Sequence, residues 1–226
     1  MLPLFFAALA GLISPFTTIP ASPASVSPVV WRDAYPAAVI PAPAVQPLVA
    51  RRLTAPRAAT STVPFVPFYS QFADITSPKW QKVGCGITDL TMLIHYYRPS
   101  TSVSVNQMLA KGIAQGAYDS IDGWTYQGLI DLGKPYGLTG SWYALPAASD
   151  AALARLKELL AKGPVIMSVH YKFDPASTIP HLVVVNGIDG DTVYVNDPAT
   201  TKGTEALPMK KFLAGWKRKA VVIRPA

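Results

Sequence analysis

The sequence predicts an α+β fold in which helices come first along the chain and antiparallel strands follow. In residues 86–162, apolar side chains recur at the three- and four-residue spacing of amphipathic helices. Residues 164–198 instead hold three runs rich in Val and other strand-forming residues. Asp189-Gly190 separates two of these runs, and Asp-Gly is a strong hairpin signal. This segregation along the chain indicates separate helical and sheet layers, not a doubly wound parallel sheet.

The N-terminus predicts export. Residues 2–13 are almost wholly apolar, but this stretch is too short for a bilayer, which takes about 20 residues. The length suits the apolar core of a signal peptide, and the small residues after it offer a cleavage site near Ala24. We expect residues 1–24 to be a signal peptide or a short apolar anchor. The processed protein would be secreted or in the cell envelope, with no stable membrane span.

The chain changes character twice after this segment. Residues 14–60 contain nine prolines in 47 positions, and proline denies a segment the hydrogen bonds of a helix. Residues 25–60 are therefore expected to be a disordered Pro/Ala-rich linker or pro-segment. Aromatic residues and periodic apolar runs begin at Ser61. Residues 61–226 are predicted to form a single domain with its own core.

Charge and cysteine count exclude several function classes. The net charge is +7, but the basic residues match no nucleic-acid-binding motif. The densest basic group is Lys210-Lys211 with Lys217–Lys219, which fits a solvated face better than a surface for an anionic partner. One cysteine and three histidines cannot build a Cys-rich metal site, and no phosphate-binding loop is present. No cofactor is expected, and nothing indicates an oligomeric state.

The first half of the domain predicts helices. They cover 86–97, about 104–117 after the capping box Ser104-Val-Asn-Gln107, about 125–132, and 150–163 between an Asp150 N-cap and a Gly163 stop. The second half predicts strands. They cover 164–171, 181–188, 191–198 and 219–225, with a short helix over 209–216. The aromatic stretch 63–72 is expected to be an edge strand or the first strand, because of its prolines, and residues 74–80 are expected to be a loop.

Cys85 is the only cysteine and lies between two glycines at the predicted start of a helix. A cysteine attacks as the thiolate, and the unpaired N–H groups at a helix start favour that anion. The flanking glycines would let another chain approach the sulfur closely. A buried core thiol fits the same position, so the assignment of Cys85 as a nucleophile depends on a partner base.

Three histidines are candidates for that base. His95 lies ten residues along the same helix, about 15 Å from Cys85 at about 1.5 Å per residue, so we interpret it as a surface histidine. His170 follows a strand and has no polar residue placed to orient it. His181 begins a Val-rich strand and has polar residues across the predicted hairpin, which makes it the preferred base.

The length of the hairpin loop decides which residue orients His181. With a two-residue turn at Asp189-Gly190, the alternation of side chains places Asn196 on the face of His181. With a three-residue loop and a bulge, Asp197 lies directly opposite His181. The spacing permits either residue. We favour Asp197, because a carboxylate stabilises an imidazolium better than an amide does.

An oxyanion hole needs hydrogen-bond donors aimed at the developing charge. The backbone N–H of Cys85 is one candidate, and a side-chain amide upstream is a natural second. Gln71 and Gln81 both qualify. We favour Gln71, because it ends an aromatic segment that can pack alongside the helix, whereas Gln81 lies only four residues before Cys85 and is expected to face solvent.

Several stretches together resemble a known family. They are "VPFYSQ", "GCGITDLTMLIHYY", "GPVIMSVHY", "HLVVVNGI" and "VYVNDP", and they are similar to peptidase C39-like proteins of papain-like fold over most of residues 63–224. The resemblance implies a cysteine peptidase with the Cys at a helix start, packed on an antiparallel β-sheet. It also implies a triad of Cys85, His181 and Asp197, with Gln71 completing the oxyanion hole.

The sequence therefore predicts an exported thiol hydrolase that cleaves peptide bonds through a thioester acyl-enzyme. Its partner would be a peptide or protein substrate, including cell-wall peptide, and not nucleic acid. One alternative is a cell-wall peptide amidase or acyl transferase with the same triad, and another is a non-catalytic papain-fold module that binds peptides or wall. The best-known family members trim leader peptides and are fused to an ABC transporter. We do not expect that substrate, since this sequence has no transporter segment.

Overall fold

The computed structural model describes residues 63–120 and 123–226 of the chain. The expected signal peptide and linker, residues 1–24 and 25–60, lie outside the described residues. Within the described part of the chain, no helix is long and apolar enough to cross a membrane.

The described residues form six α-helices and eight strands. The helices are α1 (Pro78–Gln81), α2 (Cys85–Tyr97), α3 (Val105–Ala114), α4 (Tyr126–Gly133), α5 (Ser149–Leu160) and α6 (Met209–Gly215). The strands are β1 (Tyr118–Asp119), β2 (Gly123–Trp124), β3 (Leu138–Ala144), β4 (Val165–His170), β5 (Pro180–Asp189), β6 (Thr192–Asn196), β7 (Thr204–Pro208) and β8 (Trp216–Pro225). Short 3₁₀ turns follow α4 and β4, at Lys134–Tyr136 and Tyr171–Phe173.

Six strands form one antiparallel sheet in the order β3-β8-β4-β5-β6-β7. Its central strands are the Val-rich runs, and β5 shows why they are apolar throughout. Leu182 and Val184 belong to one hydrophobic cluster, whereas Val183 and Val185 belong to another. Since successive side chains of a strand point to opposite faces, both faces of this sheet are covered.

The two faces carry different helices. One cluster contains apolar residues of α2, α3 and α4, and the other contains apolar residues of α5 and α6. Helix α2 is the most deeply placed of them, because every residue from Gly86 to Ile94 is buried. These layers confirm the predicted α+β class, and they place the first turn of α2 next to one end of β5, the strand that α2 contacts.

Most predicted elements exist, with small shifts at their ends. The capping box of α3 is complete, since Gln107 N donates to Ser104 Oγ and Ser104 N donates to Gln107 Oε1. Helix α5 differs at its start, because Ala148 is the N-cap and Asp150 lies in the first turn. There the carboxylate still complements the positive end of the helix.

Two expectations about local structure are wrong, and one strand was not expected. The stretch 63–72 contains no strand. A side-chain hydrogen bond fixes it instead, in which Asn196 Nδ2 donates to Val66 O at 3.1 Å. The expected loop 74–80 contains the start of α1, which has Pro78 in its first turn, a position that needs no N–H donor. Strand β3 was not predicted, because Leu138 is its only buried residue and the sequence shows no alternation there.

Candidate active site

A cavity of about 410 Å³ lies at the start of α2, between that helix and the beginning of β5. Its lining is mostly apolar and includes the side chains of Gln71, Phe72, Val83, Cys85, Trp124, Tyr126, Ser168, Tyr171, Ile179, His181 and Leu182. The cavity thus brings Cys85, His181 and Gln71 to one place, although they are separated by up to 110 positions along the chain.

Cys85 is the first residue of α2, and its side chain is half-buried at the cavity wall. The glycines on either side serve packing. A Cβ on Gly84 would collide with Ile75, and a Cβ on Gly86 would lie 2.9 Å from Trp124 Cβ. The two glycines therefore let neighbouring segments close around the helix start, where unpaired N–H groups favour an anion on the sulfur.

His181 and Asp197 form a buried hydrogen-bonded pair. His181 Nε2 lies 2.6 Å from Asp197 Oδ1, and the same oxygen accepts from Ala199 N at 2.8 Å. Cys85 lines the same cavity as His181 and lies close enough to raise the pKa of the imidazole. The ring of Tyr171 packs edge-on against the imidazole, with centroids 5.5 Å apart. The carboxylate and the Tyr171 ring thus hold the imidazole at the cavity that also contains the Cys85 thiol.

The environment of His181 favours its charged form. Burial by itself would lower the pKa of His181, but the hydrogen bond to Asp197 and the nearby polar groups of Cys85 and Asp197 raise it to about 10. At neutral pH the imidazole is therefore protonated when it faces a thiolate. This is the ion pair that a thiol nucleophile requires.

The register of the β5–β6 hairpin differs from both predicted alternatives. The turn residues are Gly190 and Asp191, because Asp189 pairs with Thr192. Without a further change, this turn would put Asn196 on the face of His181. A bulge at Asn186 shifts the pairing, so that Val185 opposes Val195. The extra residue lies in the strand and not in the loop, and the alternation then assigns Asp197 to the face of His181.

Asn196 has a separate structural task. Its amide donates to Val66 O, and its Oδ1 accepts from Thr204 Oγ1 at 2.6 Å and from Asn186 Nδ2 at 2.9 Å. The bulged residue and Asn196 therefore hold each other and the extended segment before the cavity. Asn196 contributes to the frame behind the site, whereas Asp197 contacts the imidazole.

The two glutamines hold different positions. Gln71 lines the cavity, where its backbone N–H donates to Pro198 O at 2.8 Å and its Nε2 donates to Gln81 O at 2.7 Å. An amide nitrogen has two hydrogens, so one remains for a ligand. The Gln81 side chain instead donates to Phe72 O and Ile75 O. Both of its donors are used to fix the loop before α1.

The other two histidines lie outside the cavity lining. The expectation that His95 is a surface residue is wrong: it is half-buried, its Nδ1 lies 2.6 Å from Tyr69 Oη, and burial lowers its pKa. His170 ends β4, where its Nδ1 lies 2.8 Å from Ser177 O. Neither is placed beside Cys85 in the described structure.

Asp89 is a part of the site that the sequence reasoning missed. It lies one helical turn after Cys85, is fully buried, and neither carboxylate oxygen has a hydrogen-bond partner among the described residues. Burial and the negative charges of Cys85 and Asp197 raise its pKa well above the usual value, while His181 acts in the opposite direction. An acidic residue four positions after the cysteine, within an apolar helix, was the available signal.

A thiol at a helix start, facing a buried histidine–carboxylate pair on an antiparallel sheet, is the arrangement of papain-like cysteine peptidases. Residues 65–221 match the Peptidase_C39 like family. The chain belongs to this family of cysteine peptidase domains, which confirms the resemblance seen in the sequence. Among the described residues, no group of three or more His, Cys, Asp or Glu side chains is placed to hold a metal ion.

Two proteins illustrate what the chain is similar to. The pediocin PA-1 transport/processing ATP-binding protein PedD of Pediococcus acidilactici is 29% identical over 141 residues, which are 62% of this chain and 17% of that protein. The chain thus spans less than a fifth of the length of this relative. A double glycine motif protease from an AMS/PCAT transporter, solved in complex with the leader peptide, aligns with a TM-score of 0.52. It is 22% identical and covers 74% of this chain and 96% of its own, a likeness of fold.

Proposed function

We propose that the protein is a thiol peptidase that cleaves peptide bonds with Cys85 as nucleophile, His181 as base and acid, and Asp197 as the orienting group. One observation carries the proposal: Cys85 and His181 line a single cavity, and the imidazole of His181 is hydrogen-bonded to the buried carboxylate of Asp197. Such a series of thiol, imidazole and carboxylate supplies the three roles of nucleophilic catalysis.

The first half-reaction forms a thioester. Cys85 gives its proton to His181, and Sγ attacks the carbonyl carbon of the scissile peptide bond. The backbone N–H of Cys85 and the free hydrogen of Gln71 Nε2 stabilise the negative charge that develops on the carbonyl oxygen. His181 then donates its proton to the leaving amine, the C–N bond breaks, and the acyl group stays on the sulfur.

The second half-reaction releases the acyl group. Water gives a proton to His181 as its oxygen attacks the thioester carbonyl, and the C–S bond breaks to yield a carboxylic acid and the thiolate–imidazolium pair. Asp197 keeps the ring in one orientation through both steps, since its Oδ1 is itself fixed by Ala199 N. The raised pKa of His181 keeps the proton available for the leaving group.

The lining of the cavity supports a peptide substrate. Apolar and aromatic side chains surround the thiol, among them Phe72, Trp124, Tyr171 and Ile179, and such a surface accepts apolar side chains next to the scissile bond. The similar protease was solved with a leader peptide bound, which supports a peptide of several residues as the class of substrate here.

The proposed function is tested by product analysis. Wild-type protein and the Cys85→Ala variant are incubated separately with a mixed-sequence peptide library and with isolated peptidoglycan, and the products are identified by mass spectrometry. We expect peptide cleavage by the wild type and a loss of at least about 10³-fold in the variant. Products from peptidoglycan alone would favour the cell-wall amidase or transferase, and no Cys85-dependent product would favour a binding module.

We also propose that the protein acts outside the cytoplasm. The apolar run at residues 2–13 and the small residues up to Ala24 support this proposal, because they have the order of a signal peptide. N-terminal sequencing of the protein recovered from its native host tests it. A mature N-terminus near Ser25 in an extracytoplasmic fraction is expected, and unprocessed chain confined to the cytoplasm would contradict the proposal.

A further inference from the structure

Another cavity adjoins the one at Cys85. It measures about 540 Å³ and shares Trp124, Tyr126, Ser168 and Pro180 with the lining of the catalytic cavity. Its remaining lining consists of Thr125, Lys217 and Lys219, whereas the catalytic cavity is mostly apolar and contains one lysine, Lys82. We call it the Lys217–Lys219 cavity. A substrate that extends from the thiol past Ser168 therefore meets two ammonium groups.

A bulge in β8 positions these two lysines. Ser168 of β4 pairs with Lys219, but the next residue, Val169, pairs with Trp216, so two residues of β8 are left over. Arg218 lies in this bulge with φ of 56°, a left-handed conformation that is uncommon for residues other than glycine. Bulges and unusual backbone conformations next to active sites serve to re-aim side chains.

The side chain of Arg218 leads away from the cavity lining. Its guanidinium donates to Ser149 Oγ at 3.1 Å and lies over the Trp216 ring, both outside the lining of the Lys217–Lys219 cavity. The residues on either side of it, Lys217 and Lys219, both contribute to that lining. The bulge thus lets Lys217 and Lys219 line the cavity, while the guanidinium of Arg218 lies outside the lining.

The charge of the Lys217–Lys219 cavity is unbalanced. No acidic side chain is part of its lining among the described residues. Neither lysine side chain makes an ion pair or a hydrogen bond within the part of the chain that the structure describes. The Ser168 side chain lies between the two cavities and adds a hydroxyl donor. Two free ammonium groups beside a hydroxyl favour a ligand group that accepts hydrogen bonds and carries negative charge.

We propose that the Lys217–Lys219 cavity is a substrate subsite that binds a carboxylate of the peptide. The inference rests on the proposed peptidase function and specifies its substrate class. In an unmodified peptide at neutral pH, the anionic groups are the side chains of Asp and Glu and the C-terminal carboxylate. Both sources present the same chemistry to the lysines, and the experiment separates them.

The first test compares matched peptides. A peptide that the wild type cleaves is prepared with Glu or Gln at each position in turn, and with a C-terminal acid or amide. We expect one acidic member to exceed its neutral counterpart in kcat/KM by about 3- to 10-fold at low salt, with the preference falling as salt rises. The position of that member tells whether a side chain or the C-terminus occupies the subsite.

Variants link the preference to the two lysines. Lys217→Gln/Lys219→Gln should remove the preference by lowering kcat/KM for the acidic peptide to that of its neutral counterpart, and Lys217→Arg/Lys219→Arg should retain it. The matched control is Lys210→Gln/Lys211→Gln, which removes the same charge from exposed positions of α6 outside the cavity lining. Equal effects of the two glutamine variants would overturn the subsite, because they would show a general effect of net charge.

A labelling experiment separates this inference from the peptidase function. Cys85 is the only thiol, so maleimides that carry a carboxylate or the matched amide on an alkyl tether of graded length label a single site. One tether length should favour the carboxylate by a few-fold in the wild type but not in Lys217→Gln/Lys219→Gln. A preference without peptide cleavage supports the subsite and contradicts the peptidase. Cleavage without any carboxylate preference contradicts the subsite alone.

Discussion

The two walls of the cavity at Cys85 hold the proposed catalytic side chains by different means. On the helix wall, Cys85 is placed by a local event, the start of α2, and by two glycines that let neighbours pack closely. On the sheet wall, His181 is placed by a partner sixteen residues away and by a bulge at Asn186 that sets the register. The helix wall depends on local sequence, whereas the sheet wall depends on strand pairing.

The carboxylates on the two walls show the consequence of this difference. Asp197 on the sheet wall is hydrogen-bonded to His181 and to a backbone N–H. Asp89 on the helix wall is buried with no hydrogen-bond partner among the described residues, and its pKa is raised by burial and by nearby negative charge. A buried carboxyl is an orienting group where donors surround it, and a destabilising one where they do not. Substitutions on the sheet wall should therefore affect activity, and Asp89 substitutions should affect stability.

The largest expected effect is the loss of the base. His181→Ala should lower kcat/KM by about 10⁴-fold, because the thiol loses its proton acceptor and the leaving amine its proton donor. The matched control is His170→Ala, a half-buried histidine on the neighbouring strand, which should change activity less than about 3-fold. Steady-state kinetics on one peptide measure both. If His170→Ala were the inactive variant, the base would have to be reassigned.

The two glutamines provide the next contrast. Gln71→Ala should lower kcat by about 10²–10³-fold, because it removes an oxyanion donor, with little change in KM. Gln81→Ala removes two hydrogen bonds to the backbone of the loop before α1, and should lower the free energy of unfolding by about 1–3 kcal/mol. Kinetics and urea denaturation of both variants check this. The reverse pattern would assign the oxyanion role to Gln81.

Asp197→Asn should lower kcat/KM by about 10²-fold and change its pH dependence. In the wild type, activity should decline as pH rises through about 10, where His181 loses its proton. The hydrogen bond and charge of Asp197 raise that pKa, so the amide should move the alkaline limb to lower pH. Because its pKa is raised on folding, His181 also contributes to the stability of the folded state. This contribution is complete below about pH 6.5 and is lost as the pH rises through about 10. An unmoved alkaline limb would contradict the role of Asp197.

The smallest expected effect on activity is that of Asp89→Asn. The buried carboxyl is protonated in the folded state over a wider pH range than in the unfolded state, because its pKa is raised. Stability of the wild type is therefore lost as pH rises above about 4, whereas the amide has no such dependence. The variant should gain stability relative to the wild type by up to about 1.4 kcal/mol per pH unit above that point.

Urea denaturation of wild type and Asp89→Asn at several pH values measures this difference, with Asp150→Asn as a control at an exposed position in the first turn of α5. Peptidase activity at neutral pH should stay within a few-fold of wild type. A pH-independent difference in stability would show that Asp89 is not protonated on folding. A loss of activity comparable to that of Asp197→Asn would show that the helix wall also orients the reacting groups.

Local sequence signals were reliable where the local sequence sets the structure. The capping box of α3 and the start of α2 are both determined by a few consecutive residues. Strand β3 was missed, because its exposed residues carry no alternation and only its pairing with β8 makes it a strand. Asp89 was missed because its burial depends on the sheet that packs against α2. The helical pattern of the sequence alone does not decide whether a polar residue of α2 faces solvent or the interior of the protein.

The sequence by itself determined that Cys85 begins a helix, that three Val-rich runs follow, and that His181 has polar residues within reach across a hairpin. Only the tertiary structure decided which of those polar residues contacts the imidazole. The turn by itself would have assigned Asn196, and the bulge at Asn186 assigns Asp197. The physical reason is the two-residue period of a strand: one extra residue anywhere in the hairpin moves each later side chain to the other face, and the position of a bulge depends on the partners that surround it.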